Sequence, residues 1–168
     1  KEVRIIDFGI CTRLSVERTS ALNPNVLEGT LKYMSPEQTG RMNRSMDYRT
    51  DLYSLGITFY ELLTGELPFN SDDVMELVHC HIARSINPPT EINAAIPKTI
   101  SDIILKLTAK IAEERYQSAS GLKYDLEQCL IHLRESNAIP HFKLGQKDVY
   151  SKFRIPERLY GRDNQIAA

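Results

Sequence analysis

The apolar run between Tyr48 and Thr64 constrains the fold more than any other feature of this sequence. It predicts a helix that ends before Gly65, with Pro68 three residues further on. Apolar side chains cover nearly every face of this helix: Leu52, Tyr53, Leu55, Ile57, Phe59, Tyr60, Leu62 and Leu63. A helix that is apolar all round is normally buried in a larger protein. We therefore expect other parts of the protein to cover it.

Further helices follow, and most of the chain before the first helix is irregular. Ser71-Asp72-Asp73 predicts the start of a helix that runs to about Ser85, and Pro88-Pro89 predicts a loop. A third helix is expected from Pro97 to about Lys110, and a fourth after Ser118. Earlier segments are a short strand at residues 3–6, a polar loop at residues 11–34 and a short helix start at residues 35–38.

Composition limits the classes of protein to which the chain can belong. It has 168 residues, of which 42% are hydrophobic and 26% charged, with a net charge of -1. These values are typical of a globular domain and give no support to a nucleic-acid partner or to membrane insertion. The cysteines, Cys11, Cys80 and Cys129, form no CxxC pair, so we expect a reducing cytoplasm. His79-Cys80-His81 invites interpretation as a metal site, but adjacent helix positions point about 100° apart and no second cluster completes four ligands. We therefore interpret these three as core or surface residues.

Four motifs in order carry a resemblance to a known family. They are Asp7-Phe8-Gly9, the segment G-T-L-K-Y-M-S-P-E at residues 29–37, D-L-Y-S-L-G at residues 51–56, and Arg115. Together they resemble the C-terminal lobe of eukaryotic-type Ser/Thr protein kinases, in which D-F-G and A-P-E are signatures. The resemblance implies a mainly α fold, a helical bundle with a short N-terminal β-strand and a long activation loop. It covers residues 1–136 as part of a kinase domain.

The resemblance also implies roles for residues near the start of the chain. Asp7 would be the carboxylate that holds Mg²⁺ on the phosphates of ATP, a task that suits a charged oxygen ligand. Phe8 would pack beneath it, and Gly9 would allow backbone angles that other residues resist. Thr30 resembles the residue whose hydroxyl lies near the substrate hydroxyl, which favours Ser or Thr as acceptor; an ordinary loop threonine is the alternative. Leu31 stands where the family usually has proline, which puts the preference for substrate residues beside the acceptor in doubt.

Three more residues would be structural supports. Glu37 and Arg115 would form a buried ion pair that clamps the activation segment to later helices. Asp51 would be a buried carboxylate that accepts backbone N–H bonds from the catalytic loop. Candidate phosphorylation sites lie in the same loop, with solvated hydroxyls as the alternative: Thr12, Ser15, Thr19 and Ser20.

The other parts of a kinase active site are missing from this sequence. It has no G-x-G-x-x-G loop, no V-A-I-K lysine and no H-R-D-x-x-x-x-N catalytic loop, all of which should precede Lys1. We expect a fragment that alone neither binds ATP tightly nor transfers phosphate. Its uncovered central helix should expose apolar surface and favour association. In the parent, the γ-phosphate of ATP would pass to a protein Ser or Thr; the alternative is a non-catalytic, kinase-like interaction module.

The end of the chain adds a second resemblance. Residues 145–148 and the segment F-R-I-P-E-R-L-Y-G-R-D at residues 153–163 resemble the junction in large sensor proteins. In those proteins a Ser/Thr kinase domain precedes a P-loop ATPase domain, a GAF domain and a histidine kinase. Residues 137–168 would then be a linker and the start of the ATPase domain, with a plain linker as the alternative. The implied partners are a protein substrate, the kinase's own N-lobe and these downstream domains.

Overall fold

A computed structural model of the chain describes residues 31–42 and 44–149. The predicted strand at residues 3–6 and most of the loop at residues 11–34 lie outside these ranges. Within them the secondary structure is helical, so the mainly α fold that the sequence predicts is confirmed. None of the described helices is long and apolar enough to cross a membrane.

The described part of the chain contains five α-helices. They are α1 (Arg49–Thr64), α2 (Val74–Ala83), α3 (Pro89–Ile92), α4 (Lys98–Leu107) and α5 (Ala119–Ser136). Short 3-10 turns occupy Leu31–Tyr33, Pro36–Thr39 and Ala112–Glu114. The predicted loop at Pro88-Pro89 is wrong in detail, because Pro89 opens the single turn α3. Proline fits the first turn of a helix, where its missing N–H has no intrahelical partner to lose.

The helix ends follow the signals in the sequence. Asp73 accepts hydrogen bonds from the backbone N–H groups of Met75 and Glu76 and so caps α2. Ser118 caps α5 by accepting from the Gly121 N–H at 3.0 Å. Gly65 ends α1 in the left-handed conformation, at φ 82°. Two side-chain caps and one left-handed glycine therefore account for these helix boundaries through local interactions.

The larger core cluster joins α1, α4 and α5. Its buried members are Leu52, Ile103, Leu107, Tyr116, Leu122 and Cys129. The helices α1 and α4 approach closely at Gly56, where an added Cβ would lie 2.7 Å from the Leu107 Cβ and 2.7 Å from the Thr108 Cγ2. A glycine at this position therefore allows the central helix to pack directly on α4.

A smaller cluster joins the first described segment to α2. Its buried members are Leu31, Met34, Phe69, Leu77 and Cys80. By contrast, the last turns of α1 remain partly uncovered, with Leu62 73% exposed and Leu63 41% exposed. This exposure agrees with the expectation that the all-round apolar helix leaves apolar surface open in this chain.

Residues 138–149, which we call the C-terminal strap, pack onto the helical body. Ile139, Phe142 and Leu144 lie against the larger core cluster. Thr99 donates its hydroxyl to the Pro140 carbonyl at 2.7 Å. The sequence pattern decays after Pro140 and gave no sign of this packing, because scattered apolar residues in an irregular segment have no period to detect. The predicted domain boundary after residue 136 stays a prediction.

Candidate functional site

A buried ion pair lies at the centre of the candidate site. Arg115 donates from Nη1 to Glu37 Oε1 at 2.7 Å and from Nη2 to Oε2 at 2.8 Å. Arg115 is 1% exposed and Glu37 is 6% exposed. Thr50 at the start of α1 donates its hydroxyl to the same carboxylate at 2.9 Å. Two parallel N–H···O bonds fix direction as well as distance, so this pair fixes Glu37 relative to the helices.

The remaining donors of Arg115 all find backbone acceptors. Its Nε donates to the Ala109 carbonyl at 2.7 Å, and its two terminal nitrogens also donate to the carbonyls of Arg49 and Lys110, each at 3.2 Å. The guanidinium carbon lies 4.9 Å from the centre of the Tyr53 ring. A buried charge is stable only when its hydrogen-bonding groups are satisfied, and the five N–H groups of this arginine meet that condition.

The ion pair also determines the protonation state of Glu37. Burial alone would raise the pKa of its carboxyl, but the hydrogen bonds from Arg115 and the positive charge outweigh this effect. The pKa of Glu37 is therefore held below its ordinary value of 4.5. The carboxylate is charged at neutral pH, as the bidentate contact requires.

Glu37 belongs to a segment, residues 31–40, that we call the clamped segment. Tyr33 donates its hydroxyl to Glu61 Oε2 at 2.6 Å, and Ser54 donates to the Tyr33 carbonyl at 2.8 Å. The hydrogen bond to Glu61, followed by burial, raises the pKa of Tyr33. Both partners lie on α1, so the central helix holds this segment at two further points besides the ion pair.

A buried histidine lies beside the clamped segment and was missed as a site residue by sequence reasoning. His81 on α2 is 1% exposed, and its Nδ1 lies 3.0 Å from the Tyr53 hydroxyl. Burial, and then the charge of Lys110, lower the pKa of His81 to about 4. A neutral imidazole results at pH 7. The only signal in the sequence was a helical spacing, which places a polar residue on a buried face but does not reveal its partner.

A second charged cluster supports the start of α1. Arg49 donates from Nη2 to Asp47 Oδ2 at 2.8 Å and from Nη1 to Gln117 Oε1 at 2.7 Å. Arg44 nearby pairs with Glu113 at 2.6 Å. These contacts connect the chain before α1 to the chain before α5. Sequence reasoning did not predict them, since the partners of Arg49 include residues almost seventy positions away.

The predicted site residues have three different outcomes in the structure. Glu37 and Arg115 are brought together, although they are 78 positions apart. Asp51 is exposed in the first turn of α1, so the expected burial is not observed. A carboxylate there is solvated and suits the positive end of the helix dipole. The remaining candidates lie outside the described residues: Asp7, Phe8, Gly9, Thr30, Thr12, Ser15, Thr19 and Ser20.

No group of three or more His, Cys, Asp or Glu side chains in residues 31–42 and 44–149 is arranged to hold a metal ion. The two cysteines of these ranges, Cys80 and Cys129, are buried free thiols. The described residues therefore contain no metal centre of their own. Any metal ligand that the motifs imply is Asp7, which this structure does not describe.

Comparison of the sequence with known proteins identifies its family and several relatives. A family profile described as the protein kinase domain matches residues 1–129. The chain is 40% identical to hybrid signal transduction histidine kinase G of Dictyostelium discoideum, over 82% of this chain and 5% of that protein. It is also 40% identical to a probable serine/threonine-protein kinase of Clostridium perfringens, over 75% of this chain and 18% of that protein.

A third relative is the serine/threonine-protein kinase PknB of Mycobacterium leprae, which is 38% identical over 74% of this chain and 20% of that protein. The chain thus spans no more than a fifth of the length of these three relatives. The family match itself covers most of the chain, and the resemblance that the sequence predicts is confirmed. The chain belongs to the protein kinase domain family.

Proposed function

We propose that this chain is the substrate-side part of a serine/threonine kinase domain. In the full-length protein, the γ-phosphoryl group of ATP is transferred to the hydroxyl oxygen of a Ser or Thr in a protein substrate. The bond between the γ-phosphorus and its bridging oxygen breaks, and ADP leaves. The base that accepts the hydroxyl proton belongs to the catalytic loop, which is not in this sequence.

The observation that carries this proposal is the way in which the clamped segment is held. The bidentate pair between Glu37 and Arg115 fixes one end of the segment, and Tyr33 fixes its middle on α1. Leu31, at the other end, is 5% exposed in the smaller core cluster. Thr30 directly precedes this anchored residue. Phosphoryl transfer depends mainly on positioning, and a threonine that directly precedes a segment anchored at several points suits a positioning role.

The residues of this chain that would bind Mg²⁺ and ATP precede the clamped segment in the sequence. The resemblance of Asp7-Phe8-Gly9 to the kinase D-F-G motif assigns the Mg²⁺ contact to Asp7. Phe8 would pack below it, and Gly9 would form the turn. Bound Mg·ATP supplies the phosphoryl group and neutralises its charge. Within the chain, Asp7 would orient the metal and Thr30 would orient the acceptor. Asp51, which is exposed in this chain, would accept backbone N–H bonds from the catalytic loop of the full-length protein.

The same proposal includes regulation and context. Phosphorylation of Thr12, Ser15, Thr19 or Ser20 would add charge that Arg13 and Arg18 could pair with. Residues 137–168 would be a linker and the start of a downstream P-loop ATPase domain. We place the protein in the cytoplasm, which the free thiols of Cys80 and Cys129 support because a reducing compartment preserves them.

The test is phosphotransfer by the full-length protein, with Asp7→Asn as the variant. We expect the rate of phosphate incorporation into a Ser-containing protein substrate to fall by at least about a hundredfold, because an amide is a much weaker ligand for Mg²⁺ than a carboxylate. The matched control is Glu135→Gln, which removes one carboxylate from an exposed position near the end of α5. Unchanged activity of Asp7→Asn would reject Asp7 as the metal ligand.

The same assay separates the kinase from the interaction module. If the wild-type protein shows no phosphotransfer to Ser or Thr with Mg·ATP, the non-catalytic alternative replaces this proposal. Transfer to Tyr in preference to Ser or Thr would contradict the role given to Thr30. Replacing Thr30 with Val preserves its shape without the hydroxyl, and should slow transfer while the Glu37–Arg115 clamp stays intact.

A further inference from the structure

An apolar groove runs along the exposed face of α5. Six residues line it, at positions that share one side of a helix: Ala119, Leu122, Lys123, Leu126, Glu127 and Leu130. Leu130 is 43% exposed although it lies in the middle of a described helix. The groove measures about 270 Å³, which is below the range of about 300–1,000 Å³ typical of small-molecule pockets. Its size suits one or two side chains from a polypeptide.

The C-terminal strap brings the following chain to the beginning of this groove. Asp148 accepts from the Gln117 backbone N–H at 2.7 Å and from the Ser118 hydroxyl at 2.9 Å. These two donors stand directly before α5. Val149, the next residue, is 72% exposed. The chain therefore leaves the helical body at the N-terminal end of α5, where Ala119 begins the groove.

The length and pattern of the next residues match the groove. Phe153 lies four residues beyond Val149, so an extended chain reaches about 13 Å. Ala119 and Leu126 are separated along the helix by about 10 Å. Phe153 and Ile155 fall on one side of an extended chain, about 7 Å apart, and leucines four positions apart on a helix are separated by about 6 Å. Pro156 favours an extended backbone at Ile155.

The charges at the rim also agree with this occupant. Lys123 and Glu127 stand on the groove, 3.6 Å apart, and both are well exposed. The segment carries charges of both signs beside its apolar pair, with Arg154 before and Glu157 after Ile155. An apolar pair with mixed flanking charge suits an apolar groove with a mixed rim. We propose that residues 150–158 bind along α5, with Phe153 and Ile155 in the leucine groove.

This contact would give the kinase part of the chain a fixed junction with whatever follows residue 158. It does not depend on phosphotransfer, so it can stand or fall independently of the proposed function. This segment, which the resemblance to large sensor proteins implies is part of a linker, would then be an intramolecular interface. The groove would be closed to other partners as long as this segment occupies it.

The first test is cross-linking in the full-length protein. Leu126→Cys combined with Phe153→Cys should form a disulfide under mild oxidation, since a disulfide requires Cα atoms within about 7 Å. Peptide mapping should find at least about ten times more of this link than in the control pair Leu62→Cys with Phe153→Cys, in which Leu62 is an exposed leucine on α1. Equal yields in the two pairs would overturn the proposal.

The second test identifies the occupant without an engineered cysteine. Trypsin can cut after Lys152, Arg154 and Arg158, and binding should slow these cuts. Leu130→Asp, at a groove position that is 43% exposed, should accelerate them at least about fivefold, while Leu62→Asp should leave their rate unchanged. Cross-links that form only between isotopically distinct copies would show that a second copy fills the groove, and would reject the intramolecular contact. Cutting at the same rate in all three proteins would reject it as well.

Discussion

The clamped segment and the C-terminal strap are both held to the helical body by a buried carboxylate, but their partners differ. Glu37 pairs with a charged guanidinium through two bonds of 2.7 and 2.8 Å. Asp125, fully buried in α5, accepts from the neutral Tyr116 hydroxyl at 2.6 Å and from the Gly145 backbone N–H at 2.7 Å. Both carboxylates join segments that are distant in the sequence.

The difference shows how two kinds of attachment behave. A buried charge pair adds little net stability, but losing one partner leaves an uncompensated charge. Such a pair suits a segment whose position must not vary. The strap adds apolar packing by Ile139, Phe142 and Leu144 to its hydrogen bonds, so its stability is spread over many small contacts. We therefore expect a single substitution in the clamp to cause a large loss of folding stability. Substitutions in the strap should cause smaller, graded losses.

The largest effect should come from Arg115→Met. This substitution leaves Glu37 buried without its partner, and it should lower the free energy of unfolding of the chain by about 3–5 kcal/mol. Urea denaturation at pH 7 measures the change. The double variant Glu37→Gln with Arg115→Met should recover much of the loss, because it removes the unpaired charge. A loss below about 1 kcal/mol for Arg115→Met would contradict the distinction between the two attachments.

The second largest effect should be a pH dependence of folding stability that arises from His81, beside the clamped segment. Burial, followed by the charge of Lys110, lowers the pKa of His81 to about 4 in the folded chain, from an ordinary value of 6.5. The unfolded chain therefore binds the proton first, and stability falls as the pH decreases from 6.5 towards 4. Between pH 7 and pH 5 the loss should be about 2 kcal/mol.

His81→Gln should remove most of this pH dependence, because glutamine does not titrate and its amide can still bond the Tyr53 hydroxyl. His79→Gln is the matched control, since His79 is exposed two positions earlier on the same helix. Glu37 acts in a lower window. Its depressed pKa contributes stability above 4.5, and that contribution is lost only on further acidification. Equal slopes for the two histidine variants would show that His81 is not the group responsible.

One added methyl group on α5 should disrupt the contact between the strap and this helix. A Cβ at Gly121 would lie 2.7 Å from the Cα of Asp148, and it would also clash with that carboxylate. Alanine is favoured over glycine in an open helix by about 1 kcal/mol, so the sign of the effect is diagnostic. Gly121→Ala should destabilise the chain by at least about 1 kcal/mol in urea denaturation. Stabilisation would mean that the strap does not lie on α5.

The smallest effect on stability should come from a position outside both attachments. Leu62→Ser changes a side chain that is 73% exposed, so the free energy of unfolding should change by less than about 0.5 kcal/mol. Self-association, measured by sedimentation velocity, should decrease because an exposed apolar patch is reduced. Glu135→Ser is the control for an exposed position. If Leu62→Ser leaves self-association unchanged, the surface responsible for self-association lies elsewhere.

Much of the fold follows from local signals. The caps Asp73 and Ser118, the terminator Gly65 and the apolar spacing of α4 each act within a few residues, so sequence reasoning could find them. The Glu37–Arg115 pair was predicted only through the resemblance to kinases. No local rule joins residues 78 positions apart. The partners of His81 and Arg49 escaped prediction for the same reason.

The sequence by itself determined the family, the helices and the identity of the residues that carry charge. Only the tertiary structure decided which charges are buried and satisfied. It exposed Asp51, buried His81 against Tyr53, and seated the strap on Gly121. The physical reason is that helix propensity and capping are properties of neighbouring residues. Desolvation and hydrogen-bond satisfaction depend on atoms that folding brings together from distant parts of the chain.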